Sequence, residues 1–354
     1  MMRRKAYAAI FALLVTGLVV AASFNYRSVT TAAPLAPSFS AAELLRMLPA
    51  SDAIAYVDAQ RMLSEVIPNI YINDAETLAE YNKALDKFRD YTGTDARQLD
   101  SIAASVRFKK NAAASPEFIT GLARGRFAAS EVITKGLAKS KTERNISSKE
   151  VEYEGTTIYA VERTGGFCLA ALDSNTIAFG DMEGIKAMLD VRAGRGARVD
   201  SSLVELATLN SSAVAGFAVN VPPSAVKQVI GSDEFGEAFN SIRQVYGSAD
   251  ATNSTGALSI TLRSETGEQA QAMAEKLGSL KQLASFYFSQ SATQSDAQVG
   301  TLSADDKSQA RATIRSMPFP SRWIKDVTIT AEGNDVKLRL EEPLADIAGI
   351  FRIR

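Results

Sequence analysis

Ser224 and Lys227 stand three residues apart in Ser224-Ala225-Val226-Lys227. On a helix that spacing places both on one face, where the ammonium lowers the proton affinity of the hydroxyl, as in penicillin-recognising enzymes. The Lys-Thr-Gly element that accompanies the pair in those enzymes is missing. A capped surface helix explains the same residues, so Ser224 and Lys227 are weak catalytic candidates. Carboxylates come in close pairs at Glu152/Glu154, Asp305/Asp306 and Glu341/Glu342. Glycosidases set two carboxylates roughly 5–10 Å apart across a cleft. Glu152 and Glu154 alternate on a strand and share a face, which also describes ordinary solvated strand charges. Asp305/Asp306 lacks the Asp-x-Asp-x-Asp-Gly run of a calcium loop. Arg192, Arg195 and Arg198 punctuate a Gly-containing loop and are candidate contacts for phosphate or an anionic head group. Gly194-x-Gly196 alone is not a nucleotide fingerprint, because the third glycine and a preceding parallel strand are absent.

Composition narrows the chemistry further. The 354-residue chain has no histidine. That excludes Ser-His-Asp and Cys-His catalysis and the usual imidazole metal sites. It also removes the common general base near neutral pH. No metal or cofactor is expected. Cys168 is the only cysteine, so no intramolecular disulfide can form. It lies in the apolar run Gly166 to Leu172, where a thiol is buried and inert rather than nucleophilic. Lys plus Arg is 39 against 40 for Asp plus Glu, which argues against nucleic acid as a partner.

The N-terminus is an address. Arg3, Arg4 and Lys5 precede an uncharged apolar run from Ala6 to Ala22. This pattern predicts export, with residues 1–22 serving as a signal peptide or as a membrane anchor through residues 6–22. Val20 and Ala22 suit cleavage after Ala22, and Thr30 and Ala32 offer a second position. No cysteine follows the run, so lipoprotein processing is not expected. The predicted location is periplasmic or extracellular.

The remainder reads as α+β, in two similar halves, each an antiparallel sheet with helices packed on one face. Residues 23–40 form a Thr/Ala/Pro/Ser-containing linker. The first domain spans 41–192, a second linker 193–203, and the second domain 204–354. Ser40 with Glu43 predicts a capping box for a helix from Ala41 to Met47, stopped at Leu48-Pro49. Asp52 to Asp58 alternates as a strand, Ala59 to Val66 is a helix ended near Pro68, and Asp74 to Tyr91 is an amphipathic helix. Strands follow at Leu99–Phe108 and 117–124, then a helix from Ala128 to Lys139. Hairpins at 151–162 and 167–179 precede a helix capped by Asp181. The second half repeats this order: a strand at 213–220, a helix at 224–230, a hairpin at 242–263, a long helix capped by Thr266, a hairpin at 327–341, and a helix started by Pro343. The 289–309 stretch reads as a polar loop. Phe286-Tyr287-Phe288 and Met317-Pro318-Phe319-Pro320, near Trp323, are the densest aromatic segments and a candidate binding edge.

Several of these segments carry a resemblance. Ala41-Ala42-Glu43-Leu44-Leu45-Arg46-Met47-Leu48-Pro49-Ala50 runs into Ala53-Ile54-Ala55-Tyr56-Val57-Asp58, and Thr92-Gly93-Thr94-Asp95 precedes Leu99-Asp100-Ser101-Ile102. With Gly125-Arg126-Phe127 and Ala178-Phe179-Gly180-Asp181, they resemble a group of uncharacterised exported bacterial proteins with repeated α+β units. The resemblance implies the fold and brings no activity or functional residue. The expected function is therefore a non-catalytic one in the cell envelope, binding or scaffolding an envelope protein or membrane surface, with the ligand unspecified. The alternatives are a hydrolase using carboxylates or Ser224/Lys227, and a carrier of an apolar ligand between sheet and helices.

Overall fold

A capping box opens the described part of the fold. The structure, a computed structural model, describes residues 40–109, 115–222, 239–252, 254–290 and 323–347. The export segment, Ser224 and Lys227, Asp305/Asp306 and the Met317–Pro320 segment lie outside the described residues, as do the side chains of Phe286, Tyr287, Phe288 and Trp323. The Ser40 amide donates to Glu43 Oε2 at 2.8 Å and the Glu43 amide to Ser40 Oγ at 3.3 Å, starting α1 (Ala41–Leu45). The chain continues through β1 (Ala53–Asp58), α2 (Ala59–Arg61), a π-helical turn (Met62–Val66), α3 (Ile67–Ile70) and α4 (Ala75–Thr92). Next come β2 (Leu99–Phe108), β3 (Pro116–Gly125), α5 (Ala129–Arg144), β4 (Ser148–Tyr153), β5 (Thr156–Val161), β6 (Phe167–Asp173), β7 (Thr176–Asp181) and α6 (Met182–Arg192). The rest comprises α7 (Ser201–Ala207), β8 (Ala215–Asn220), β9 (Ile242–Ala251), β10 (Thr255–Ser264), α8 (Gly267–Gln290), α9 (Trp323–Asp326), β11 (Thr328–Glu332), β12 (Asp335–Pro343) and α10 (Leu344–Ile347).

The strands build a single 12-stranded sheet in the order β11-β12-β10-β9-β8-β1-β2-β3-β7-β6-β5-β4, and every pairing is antiparallel. This corrects the expectation of a separate sheet in each half. β1 and β8 would each be an open edge in isolation; pairing them removes both edges, which are otherwise templates for aggregation. The seam is closed by the Asp58 amide donating to the Val214 carbonyl at 2.8 Å and the Asn220 amide to the Asp52 carbonyl at 2.7 Å.

Helices lie on both faces rather than one. On the first face, α1, α6 and α7 bury Leu44, Leu45, Ile185, Met188, Leu203 and Val204 against Ile54, Ala103, Leu122, Ile158, Ala170 and Ala178. On the second face, α2 to α4 and α10 pack with Val57 and Val214, α5 packs on Ile177 and Leu169, and α8 packs on Val336 and Leu262. None of the described helices is long and apolar enough to cross a membrane.

Local differences from the sequence reading have local causes. Pro68 does not end its helix. It sits in the first turn of α3 after the π-helical turn, whose Ile67 amide reaches back to the Met62 carbonyl. Proline lacks an amide, and the first turn is where that loss is tolerated. Pro343 closes β12 rather than starting a helix, α5 runs on to Arg144, and α7 begins within the stretch read as a linker.

The two sides of the seam follow one order: β1-β2-β3-β7-β6 on one side, β8-β9-β10-β12-β11 on the other. β1 and β8 both have 6 residues, and β2, β3, β9 and β10 all have 10. The β2–β3 register shifts beside the Leu99–Gly125 pair, and the β9–β10 register shifts beside the Ile242–Ser264 pair. The β4–β5 hairpin belongs to the first side alone among the described residues.

Candidate functional site

The first face changes character across the seam. Strand alternation sends every second residue to this face. Beyond the seam these are Gly216, Ala218 and Asn220 on β8; Gln244, Tyr246, Ser248 and Asp250 on β9; and Ala257, Ser259, Thr261 and Arg263 on β10, with α7 covering Ala218 and Tyr246. On the outer strands they are Asp335, Lys337, Arg339 and Glu341 on β12, with Thr328, Thr330 and Glu332 on β11. Thr328, Thr330, Lys337, Arg339 and Glu341 are exposed. The alternate residues Val336, Leu338 and Leu340 point to the second face and are buried or half-buried.

Register explains why the same face is covered by α6 on one side and open on the outer strands of the other among the described residues. Where β7 pairs with β3, Gly180 lies opposite Thr120 with φ +143°, and a Cβ there would sit 2.3 Å from the Ile119 carbonyl oxygen. Gly184, in the first turn of α6, would meet Thr120 Cβ at 2.8 Å. Gly184 lets α6 lie directly on the sheet, and Gly180 lets β7 run close against β3 before it. In the matching ladder of β12 with β10, Arg339 lies opposite Ser259, and Pro343 still belongs to the strand. α10 instead places Leu344 with the apolar residues of α2 to α4 on the second face.

A polar network organises the open face. Arg263 Nε donates to Asp335 Oδ1 at 2.8 Å and Nη2 to Asp335 Oδ2 at 2.9 Å, a two-pronged pair. Nη2 also donates to the Tyr246 hydroxyl at 3.0 Å, which donates to Asp335 Oδ2 at 2.9 Å. The Arg263 guanidinium lies 5.1 Å from the Tyr246 ring centre. The Arg263 contact holds the Asp335 carboxyl below its usual range, and burial, followed by the bond to Asp335, pushes the Tyr246 phenol up. Gln244 donates to Asn220 Oδ1 at 2.9 Å. Around this core Lys337 pairs with Glu332, and Arg339 with Glu341 at 3.4 Å. Both are exposed pairs, so they constrain little and exchange readily. The face is hydrogen-bonding and close to charge-balanced.

The residues singled out in sequence fall elsewhere. Arg195 is committed to carboxylates: its Nη2 lies 2.9 Å from Glu154 Oε1 and 3.2 Å from Asp190 Oδ1. The Tyr153 hydroxyl reaches both Asp190 oxygens at 3.1 Å, and that bond raises its proton affinity. This cluster latches the β4–β5 turn to the end of α6. Arg192 ends α6 exposed, and Arg198 is exposed and bridged through its backbone to Pro49. Glu152 accepts from Thr157 Oγ1 at 2.6 Å on its strand, while Glu154 sits in the turn at φ 49°. Glu341 is exposed on the open face, whereas Glu342 is buried on the opposite one. Cys168 is 1% exposed in the covered core, and burial pushes its thiol up. Reasoning from sequence passed over Arg263, Asp335, Tyr246 and Lys337. The signal was there: polar residues at every second position of β12, between Val336, Leu338 and Leu340.

No family model matches the chain, and no curated protein matches it. Similar solved structures include crystal forms I, IV and III of TP0453, at TM-scores of 0.43, 0.45 and 0.44 and 10% identity in each case. They cover 87%, 87% and 86% of this chain and 95%, 96% and 96% of their own. Likeness at that level is too low to carry fold or function across.

Proposed function

We propose that the protein is an exported, non-catalytic binding or scaffold protein of the cell envelope, and that the open first face of β10 to β12 is its contact surface. One observation carries this reading. The same face of the sheet is apolar and roofed by α1, α6 and α7 as far as Ala218 and Tyr246, and on the outer strands beyond them it is polar, exposed along β11 and β12, and without a described roof. A sheet face left open on one side is a usual place for a partner to dock.

Tandem duplication accounts for the comparison. Ala53 then corresponds to Ala215, Leu99 to Ile242, Pro116 to Thr255 and Thr176 to Asp335, each at the start of its strand. Arg124 and Arg263 occupy equivalent positions, and each reaches the first residue of the neighbouring strand, Thr176 or Asp335. On this reading Leu122 has become Thr261, Ala178 has become Lys337 and Gly180 has become Arg339. Substitution is concentrated where the roof has gone.

The test is photo-crosslinking in intact cells, with a photoreactive residue at Ser259 or Thr330 and a control at Glu150 on the far edge. A discrete adduct from the first two positions alone is expected. Identical patterns from all three positions would refute the surface assignment. Mass spectrometry of the mature N-terminus tests export separately.

The carrier reading has one observation in its favour. Phe217, Leu258, Ile260 and Leu338 are half-buried on the second face and belong to none of its apolar clusters. Saturable one-to-one binding of a fluorescent fatty acid, lost on Ile260→Asp, would support it. The hydrolase reading has no comparable support.

A further inference from the structure

We infer that the β1–β8 seam is a two-fold strand interface that accepts a second copy of this chain, the two molecules exchanging halves to form a closed dimer. The inference rests on seam register rather than on the open face, so this test and the crosslinking test fail independently.

The hydrogen bonds that end the seam are related to one another. If Asp52 corresponds to Val214 and Asp58 to Asn220, the bond from Asp58 to Val214 is the image of the bond from Asn220 to Asp52. The axis then passes through the Ala55–Phe217 pair. A strand interface with this symmetry presents the same pattern of donors and acceptors from either side. Once opened, β1 and β8 are edges that a second copy can complete in the same register.

The connection between the halves is short and held at both ends. The Gly196 amide donates to the Asp190 carbonyl at 2.9 Å, tying it to its own α6. The next residue, Ala197, accepts from the Ala50 amide across the seam at 2.8 Å. Short hinge connections are the places where copies of a chain exchange parts. Exchange restores every seam contact between chains, including Tyr246 and Ala218 against the cluster of Ile54 and Leu44.

One ion pair selects which strands meet. Arg61 Nη2 donates to Asp250 Oδ1 at 3.0 Å and to the Ala251 carbonyl at 2.7 Å, while Nη1 donates to the Ser212 carbonyl at 2.5 Å. By register the counterpart of Asp250 on β2 is Arg107. Pairing β1 with another β1 would therefore bring Arg61 to an arginine. Only β1 against β8 satisfies it, so exchange is favoured over like-with-like pairing.

The experiment is refolding of the full chain at low and at high concentration, read by light scattering. A dimer that forms at high concentration and persists on dilution is expected. The Ala55→Cys/Phe217→Cys variant should then give a disulfide-linked dimer, since this pair is not hydrogen-bonded and its Cα atoms lie about 4.5 Å apart. Ala55→Cys alone should not crosslink. Buried Cys168 adds no background. Inserting four Gly/Ser residues after Gly196 should cut the dimer fraction several-fold. A chain that stays monomeric at high concentration overturns the inference even if the cysteine variants misfold. A dimer indifferent to hinge length, or one crosslinked through Ala55→Cys alone, also overturns it.

Discussion

Arg61, at the end of α2, ties that helix to β9 and to the segment leading into β8, and removing it should weaken the whole molecule. Its side chain is 29% exposed and makes two bonds to backbone carbonyls and one to Asp250. A hydrogen bond from a charged group is worth about 1.5–3 kcal/mol, less where water competes. Asp250 keeps its own bonds from the Ala251 amide at 2.8 Å and the Ser212 hydroxyl at 3.2 Å, so it is not stranded. Arg61→Ala should therefore cost about 3 kcal/mol. With a urea m-value of about 3 kcal/mol/M, the midpoint should fall by about 1 M. Arg61→Lys keeps the charge but loses the fork, and should recover about half. A cycle with Asp250→Ala should give a coupling of about 1 kcal/mol. Urea unfolding followed by far-ultraviolet circular dichroism provides the readout. A midpoint shift below about 0.2 M, or a lysine variant equal to wild type, would refute the clamp.

Three further outcomes follow from single contacts. Gly184→Val should destabilise by about 2 kcal/mol, because its Cβ would enter Thr120; a neutral result in thermal melts would count against close docking of α6. Tyr81→Phe removes the donor held 2.6 Å from the Leu63 carbonyl in the π-helical turn and should cost about 1–2 kcal/mol in the same urea assay. Asp335 has a depressed folded pKa, so its contribution is present above the unfolded value near 4 and is lost as pH falls through the folded value. Wild type should therefore exceed Asp335→Asn in stability at pH 7, and the two should converge in strong acid; a gap that does not vary with pH would refute the Arg263–Asp335 assignment.

Much of the local structure was legible in the chain. Ser40 with Glu43, Asp181 and the apolar spacing of 74–91 located their helices, because capping and period are encoded within a few residues. Alternation located the strands of the 99–125 and 242–264 hairpins. Pro68 and Pro343 misled for one reason: proline forbids an amide donor, and both sites leave that donor unused. The open face escaped notice because polar alternation on β12 reads the same whether its far side meets solvent, a helix or a partner. Arg192, Arg195 and Arg198 drew attention by spacing, yet Arg195 is neutralised by Glu154 and Asp190 from other elements.

The sequence by itself determined what chemistry is excluded and where helices and strands begin. A chain with no histidine and one buried thiol cannot assemble the common triads, and caps and periods act over a single turn or strand. Tertiary structure alone decided that β1 meets β8, that two expected sheets are one, and which face stays open. Those outcomes depend on edges far apart in sequence finding a shared register, and on Gly184 admitting a helix against the sheet where the matching Pro343 still belongs to a strand.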